Sequence, residues 1–411
     1  MKHKKTLFIV FFLVLFVFQQ TRVNAEVLPD MGNLFSNQSP QASGLPDKVL
    51  VYMYQFTVDG EPTTFPCLDE DTTLGCVESF SNLTYPPDSP YVTFPSGGVN
   101  PILVDVENYY LKNVLPREMN VAENYPTLAA LQAQALAARS IADWKPRAFG
   151  ADTFTNTTFK QVFVPGSYEK YLNPENPVEI QNRISDAITS TNGQYLSYNG
   201  NGESIDAEFG SDWLVQTSDE PSKDYLEVVQ DPISSTVCGA INNNGGYGGM
   251  SQKGAIRWSL GNQCAAGGDN STKWSVQWTD YRQILAHYYT GIDILDGNGG
   301  KVAPDDRWNL LWHDNFGSPI GSPLVLTSEG QYNISLILQN TSTSEWNGAN
   351  IEIGYHWGDQ VWHIAPNNLL PNSYPKGKET ETFIVQIVAP STNGVHTLHL
   401  DLRHKLQGQS D

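Results

Sequence analysis

The most constraining feature of the sequence is an alanine-rich run, TLAALQAQALAARSIADW, that directly follows Tyr125 and Pro126. Proline suits the first position of a helix, and a second proline at 146 predicts that the helix stops by Lys145. Apolar residues recur at intervals of three and four and predict one buried helix face, made of Leu128, Leu131, Ala135, Ala138 and Ala142. Because these side chains are small, another part of the backbone can approach closely. The run therefore predicts a helix inside a close-packed core.

Strand patterns and further helices surround this run. The segments KVLVYMYQF and PILVDV precede it and predict strands, whereas residues 177–189 and 279–289 predict helices. We therefore predict an α+β domain over residues 46–295, in which the long alanine-rich helix packs on β-strands. A glycine- and aspartate-rich segment at 296–306 predicts a linker. Strand patterns every 8 to 15 residues then predict an all-β sandwich at 307–411.

The first 25 residues have the three parts of a secretion signal. A basic start precedes the 12 apolar residues Leu7–Phe18, and Val23-Asn24-Ala25 offers a small residue for cleavage. An uncleaved membrane anchor is the alternative, but 12 residues are short for a span that needs about 20. We expect a signal peptide at 1–25, a flexible leader at 26–45 and a protein without a stable membrane anchor. The expected location is extracellular, in the medium or the cell wall.

Composition excludes several classes of protein. Asp and Glu number 44 against 24 Lys and Arg, and the resulting net charge of −20 is unsuited to binding a phosphate backbone. Aromatic residues make up 11% and charged residues only 17%, which argues against a disordered chain. We therefore expect a folded, acidic protein with no nucleic-acid partner.

The four cysteines favour disulfides. Local pairing of Cys67 with Cys76 and of Cys238 with Cys264 is the most economical arrangement, although four cysteines allow three connectivities. Free thiols and a metal site are the alternatives. A cysteine-based metal site favours CxxC pairs or nearby histidines, and His287 is the single histidine between residues 46 and 295. We predict no metal and no cofactor.

Glu118 is the first candidate for a catalytic residue. The sequence predicts that it lies in a short turn between a strand and the long helix, flanked by Leu115 and Met119. Partial desolvation there raises the pKa of a carboxyl group, as a general acid near neutral pH requires. The alternative is a solvated loop acid or a helix-capping group.

Three motifs occur in order along residues 46–295. They are VDVENYYLKNVLPREMNVAENYPTLAALQAQALAARS, GMSQKGA and YRQILAHYYTGIDI. Together they resemble the SpoIID/LytB family of secreted cell-wall proteins. The residues of the first motif that match the family pattern are Glu107, Tyr110, Leu111, Val114, Pro116, Glu118, Met119, Pro126, Ala130, Leu131, Ala133, Gln134, Ala135, Ala137, Ala138, Arg139 and Ser140.

The resemblance implies a lytic transglycosylase that cleaves peptidoglycan glycan strands and leaves 1,6-anhydromuramic acid ends. It implies that Glu118 is the catalytic acid and that Arg139 is an active-site residue, which we assign to substrate binding. Gln134, Ser251 and Gln252 are further candidates for substrate binding. Each has a structural alternative: an ion pair of Arg139 with Asp143, a hydrogen-bonded helix position for Gln134, and a tight strand connection for the glycine-rich turn before Gln252.

A non-catalytic cell-wall-binding protein or amidase enhancer is the alternative function. It is motivated by departures from the family pattern, with Gly246 at the position of a common histidine and SDWL at 211–214 in place of a glycine-rich segment. A generic adhesion protein would leave the three ordered motifs unexplained. The acidic charge further favours glycan strands stripped of their stem peptides, which carry carboxylates.

The last hundred residues weakly resemble Ig-like sandwich modules. Five tryptophans lie in this part: Trp308, Trp312, Trp346, Trp357 and Trp362. Exposed tryptophans would indicate a glycan-binding module, whereas tryptophans in a β core would indicate a spacer, which we favour.

Overall fold

A computed structural model describes most of the chain from residue 45 onward. The described residues are 45–53, 90–93, 101–122, 124–151, 154–156, 160–170, 175–211, 214–234, 241–242, 248–263, 272–320, 324–358 and 361–404. The predicted signal peptide, nearly all of the predicted leader and all four cysteines lie outside these residues. The disulfide pairs Cys67–Cys76 and Cys238–Cys264 therefore stay predictions.

Six α-helices occur in the described residues. They are α1 (Leu111–Glu118), α2 (Leu128–Phe149), α3 (Ser167–Lys170), α4 (Pro177–Ser190), α5 (Gln252–Leu260) and α6 (Tyr281–Tyr288). The helices predicted at 177–189 and 279–289 correspond to α4 and α6 and are confirmed. None of the helices in the described part is both long and apolar enough to cross a membrane.

The segment before Glu118 is helical, which corrects the predicted short turn. After a strand, a π-helical turn (Val106–Tyr110) leads directly into α1. The Asp105 carboxylate starts this turn by accepting a hydrogen bond of 2.8 Å from the backbone N–H of Asn108. Apolar side chains at helical spacing then fill the core face. Glu118 is consequently the last residue of α1, held by a regular element on its N-terminal side.

The alanine-rich helix α2 forms, but it begins and ends later than predicted. Thr127 caps it by accepting a hydrogen bond from the N–H of Ala130, so the first helical residue is Leu128. The helix continues through Pro146 to Phe149, where the N–H of Gly150 donates to the Pro146 carbonyl. Proline has no backbone N–H and so removes one of the hydrogen bonds within the helix. Because this loss occurs close to the C-terminal end of α2, the last helical turn still forms.

The strands up to residue 295 form several small sheets. They are β1 (Lys48–Val51), β2 (Val92–Thr93), β3 (Ile102–Asp105), β4 (Tyr195–Tyr198), β5 (Phe209–Gly210), β6 (Leu214–Gln216), β7 (Ile241–Asn242), β8 (Met250–Ser251), β9 (Asn262–Gln263), β10 (Thr272–Lys273) and β11 (Ile292–Leu295). Strand β3 lies between β1 and β2, all antiparallel, whereas β5 and β8 are parallel. This mixture of helices and small sheets confirms the α+β class.

The described residues after 307 form two antiparallel three-stranded sheets. Their strands are β12 (Trp308–His313), β13 (Gln331–Asn340), β14 (Ile351–His356), β15 (His363–Leu369), β16 (Phe383–Val388) and β17 (His399–His404). The strand orders are β12-β13-β16 and β15-β14-β17. Alternate residues of β13, β14 and β16 form one buried apolar cluster between the sheets.

A larger apolar cluster surrounds α2 and extends into the C-terminal strands. Leu311 of β12 belongs to it. The indole N–H of Trp274 donates to the Leu311 carbonyl at 2.8 Å, and that of Trp278 donates to the Leu310 carbonyl at 3.2 Å. Strand β12 therefore packs directly on the helical part of the chain.

Candidate active site

The Glu118 carboxylate lies between two hydrogen-bond donors from distant parts of the chain. Its Oε1 accepts from the backbone N–H of Val162 at 2.5 Å, and its Oε2 accepts from Nε2 of Gln252 at 3.3 Å. The side chain is partly exposed although its neighbours Leu115 and Met119 are buried. The carboxyl group is therefore fixed in position in a residue that is not wholly buried.

Burial raises the pKa of Glu118 to about 7. The low-polarity surroundings disfavour the charged form, and this effect outweighs the opposite effects of the Val162 and Gln252 hydrogen bonds and of the Lys145 charge. At neutral pH the protonated and ionised forms are both populated. Such a group can donate a proton and later accept one, which agrees with the expectation of a desolvated carboxyl.

Gln252 connects Glu118 to the long helix. It is the first residue of α5, and its Nε2 also donates to Oε1 of the buried Gln134 at 3.2 Å. Nε2 of Gln134 has no hydrogen-bond partner among the described residues. The buried Ser251 caps α5, since its Oγ accepts a hydrogen bond of 2.9 Å from the Gly254 N–H. Two of the predicted residues, Gln134 and Gln252, thus form a chain that ends at Glu118.

Two glycines allow the GMSQKGA segment to approach the site. Gly249 has a φ of +76°, and a Cβ there would lie 2.1 Å from the Glu208 carbonyl oxygen. A Cβ at Gly254 would lie 2.1 Å from the Tyr288 hydroxyl oxygen. Both distances are far shorter than any van der Waals contact, so only glycine fits. The motif therefore places Gln252 by close backbone packing.

Arg139, which is itself buried, lies in a separate ion pair with the partly exposed Glu107. Its Nε and Nη2 donate to the two carboxylate oxygens of Glu107 at 2.5 and 2.8 Å, and its Nη1 donates to the Gln194 carbonyl at 2.9 Å. Asp143 pairs instead with Arg147, so the alternative of an Arg139–Asp143 pair is wrong. The bidentate geometry holds α2 against the π-helical turn that precedes α1.

Arg139→Met is expected to lower the free energy of unfolding by about 2 kcal/mol, less than for a fully buried pair because the Glu107 side chain is 27% exposed. Arg147→Met is the matched control, because that residue is 42% exposed and lies on the same helix. Its loss should stay below about 0.5 kcal/mol. Urea denaturation measures both values, and equal losses would contradict a special role for the Glu107 pair.

A comparison with known families finds a match for part of this region. Residues 100–198 match the model of the SpoIID family, described as Stage II sporulation protein. The chain carries a SpoIID domain. A search of the curated proteins finds no match. The matched segment includes Glu118, Gln134 and Arg139, whereas Ser251 and Gln252 follow it. SpoIID domains imply a cell-wall-related role.

A buried polar network that the sequence analysis missed stabilises the helix α5, which begins with Gln252. The fully buried carboxylate of Asp231 accepts hydrogen bonds of 2.7 Å from Nε1 of Trp258 on α5 and from the Tyr288 hydroxyl on α6. It therefore joins the helix that begins with Gln252 to its neighbour. No motif marks an aspartate in this loop, so only the three-dimensional contacts identify it.

His287, the histidine of the third motif, connects α6 to the C-terminal sheets. Its Nδ1 lies 2.7 Å from Oε1 of Gln339 on β13. Nε2 of Gln339 already donates to the carbonyls of His287 and Gly377. Oε1 of Gln339 must then accept, so Nδ1 of His287 is the donor of this hydrogen bond. The motif histidine thus has a structural hydrogen bond.

Proposed function

We propose that this chain is a secreted lytic transglycosylase that cleaves peptidoglycan glycan strands, with Glu118 as its single catalytic acid and base. The observation that carries the proposal is the state of the Glu118 carboxyl in a SpoIID domain: partly exposed, held by two amide N–H groups and with a pKa raised to about 7 by burial. An enzyme that must donate and regain one proton at neutral pH needs such a group.

The proposed reaction needs one carboxyl group and no water. Protonated Glu118 donates its proton to the glycosidic oxygen between N-acetylmuramic acid and N-acetylglucosamine as the C1–O bond breaks. The C6 hydroxyl of the muramoyl residue forms a new bond to C1, and the ionised Glu118 takes its proton. The 1,6-anhydro ring forms, the other strand leaves with a free 4-hydroxyl, and Glu118 is again protonated. Because the substrate supplies the nucleophile, a second carboxylate is unnecessary.

The other predicted site residues take different roles in this proposal. The side chain of Gln252 is buried and its Nε2 donates to both Glu118 and Gln134, so we assign it to holding the carboxyl group in position. Gln134 orients Gln252 through the hydrogen bond between their side-chain amides. Ser251 and Arg139 have buried side chains, so we assign them to positioning α5 and α2.

A digest of glycan strands stripped of stem peptides, with the purified protein lacking residues 1–25, tests the function. Mass spectrometry of the products should show 1,6-anhydromuramic acid ends. Reducing muramic acid ends in their place would show hydrolysis and contradict the transglycosylase. Retention of the protein on the strands without any cleavage would favour the non-catalytic binding protein.

The cleavage rate is expected to fall as the pH rises through about 7, because the first step requires protonated Glu118. The Lys145 charge favours the ionised form and lowers the pKa of Glu118. Lys145→Met should therefore move the alkaline limb of the rate profile to higher pH. Initial cleavage rates measured between pH 5 and pH 9 (about two units either side of 7) determine the position of the alkaline limb.

Lys112→Met is the matched control for this profile, since it removes the same charge from α1, where Lys112 lies over the ring of Tyr168. Its alkaline limb should coincide with that of the wild type. A limb that moves equally in both variants would indicate an effect of total charge and contradict the specific effect of Lys145.

A further inference from the structure

The last turns of α2 present two aromatic side chains at the surface, Trp144 and Phe149, which we call the aromatic shelf. Their rings meet edge to face, with centroids 5.5 Å apart and an interplanar angle of 83°. Phe149 is 56% exposed and Trp144 is partly exposed. Neither belongs to the apolar cluster around α2. The shelf is therefore unexplained by core packing.

Cations lie over both rings of the shelf. Nζ of Lys223 is 5.7 Å from the ring centroid of Trp144, and Nζ of Lys160 is 4.8 Å from that of Phe149. The face of an aromatic ring carries negative charge and attracts cations and other weakly positive groups. The C–H groups on one face of a pyranose ring are such groups. The shelf thus has the chemistry of a surface on which a sugar ring stacks.

Two of the lysines near the shelf, Lys145 and Lys223, lie beside one buried carboxylate. Oδ2 of Asp206 lies 2.9 Å from Nζ of Lys223, and its Oδ1 lies 3.7 Å from Nζ of Lys145. The Asp206 side chain is only 4% exposed, and its Oδ1 has no hydrogen-bond partner within the described ranges. A buried carboxylate between two ammonium groups orders them before any ligand arrives, which reduces the entropy lost on binding.

Two short chain connections link the shelf to the surroundings of Glu118. Lys160, over the Phe149 ring, precedes by two residues Val162, whose N–H binds the Glu118 carboxylate. Lys145 follows Trp144 in the chain, and its charge acts on Glu118. A glycan strand with one bond at Glu118 would therefore extend a neighbouring sugar toward the shelf.

We propose that Trp144 and Phe149 form a sugar-binding subsite beside Glu118, on which a pyranose ring of an N-acetylated glycan stacks while Lys145 and Lys160 donate hydrogen bonds to its hydroxyl and acetamide oxygens. This inference rests on the proposed function in one respect: the ligand of the Glu118 site is a glycan.

Binding is tested separately from cleavage, in the otherwise full chain carrying Glu118→Gln. The probe is the tetramer of N-acetylglucosamine, titrated by calorimetry, together with retention on peptide-free glycan strands. Trp144→Ala and Phe149→Ala should each weaken binding about tenfold, as the loss of a central aromatic contact does. Phe149→Leu keeps an apolar side chain without a ring and should weaken binding to a similar extent.

The matched control is Trp362→Ala, which removes a tryptophan that is 46% exposed and directly precedes β15. It should bind the tetramer like its parent. Loss of binding in this control alone would place the subsite on the C-terminal sheets and overturn the proposal. Unchanged binding in Phe149→Leu and Trp144→Ala, in protein that unfolds like its parent, would overturn it as well.

Failure of the subsite and failure of the function give different results. If the protein releases anhydro ends, and truncation of the shelf changes neither the cleavage rate nor the affinity, the proposed function is supported and the subsite is contradicted. If the protein does not cleave the strands, but truncation of the shelf abolishes tetramer binding, the subsite is supported and the catalytic assignment is contradicted.

Discussion

Glu118→Gln is expected to abolish the release of 1,6-anhydromuramic acid ends, with a loss of at least about 10³-fold in rate, within the usual contribution of general acid–base catalysis. Glutamine has nearly the same shape and its carbonyl oxygen can still accept from the Val162 N–H, so the fold should be retained. It cannot donate a proton to a glycosidic oxygen or accept one from a hydroxyl. Mass spectrometry of digested peptide-free strands measures the rate.

Glu203→Gln is the control for this substitution, because Glu203 is 69% exposed and pairs only loosely with Arg147, at 3.6 Å. Its rate should equal that of the wild type. Circular dichroism and urea denaturation should show that the Glu118→Gln protein is folded. Cleavage by this folded variant at the wild-type rate would eliminate the catalytic role of Glu118.

Asp231→Ala is expected to lower the free energy of unfolding by about 4 kcal/mol. The substitution leaves the Trp258 indole N–H and the Tyr288 hydroxyl buried without an acceptor, and each such group costs about 1–3 kcal/mol. The cavity left by the carboxylate adds to this cost. Because α5 then loses its connection to α6, Gln252 should also hold Glu118 less well and cleavage should slow.

Two further variants separate the causes of this loss. Asp231→Asn keeps one acceptor oxygen and should lose about half as much stability as the alanine variant. Asp224→Ala changes an exposed aspartate seven positions earlier and should stay within about 0.5 kcal/mol of the wild type. If Asp231→Ala unfolds at the same urea concentration as Asp224→Ala, the Asp231 network does not stabilise the fold.

Local patterns predicted the elements that carry the site. The 3-4 spacing of small apolar residues predicted α2, and the helix predicted at 177–189 corresponds to α4. Glu118 was predicted in a short turn between a strand and the long helix, whereas it is the last residue of the helix α1. The π-helical turn explains the error, since its wider spacing departs from the regular helical repeat.

The candidate site itself was only partly predictable. Family motifs identified Glu118, Gln134 and Gln252, and the structure brings these three side chains together. No sequence pattern marks Val162 as a partner of Glu118, because the donor is its backbone N–H and any non-proline residue supplies the same group. The partner of Arg139 was also missed, since Glu107 lies 32 residues away and not at helical spacing.

The sequence by itself determined the class of the fold, the presence of the main helix and the acid that the proposed chemistry uses, because periodicity and short motifs are properties of neighbouring residues. The tertiary structure alone decided what surrounds that acid. Gln252 lies 134 residues after Glu118, and Asp231 joins two helices that follow it. The pKa of the carboxyl depends on how far packing removes water and which donors it brings near, and these distances exist only in the folded chain.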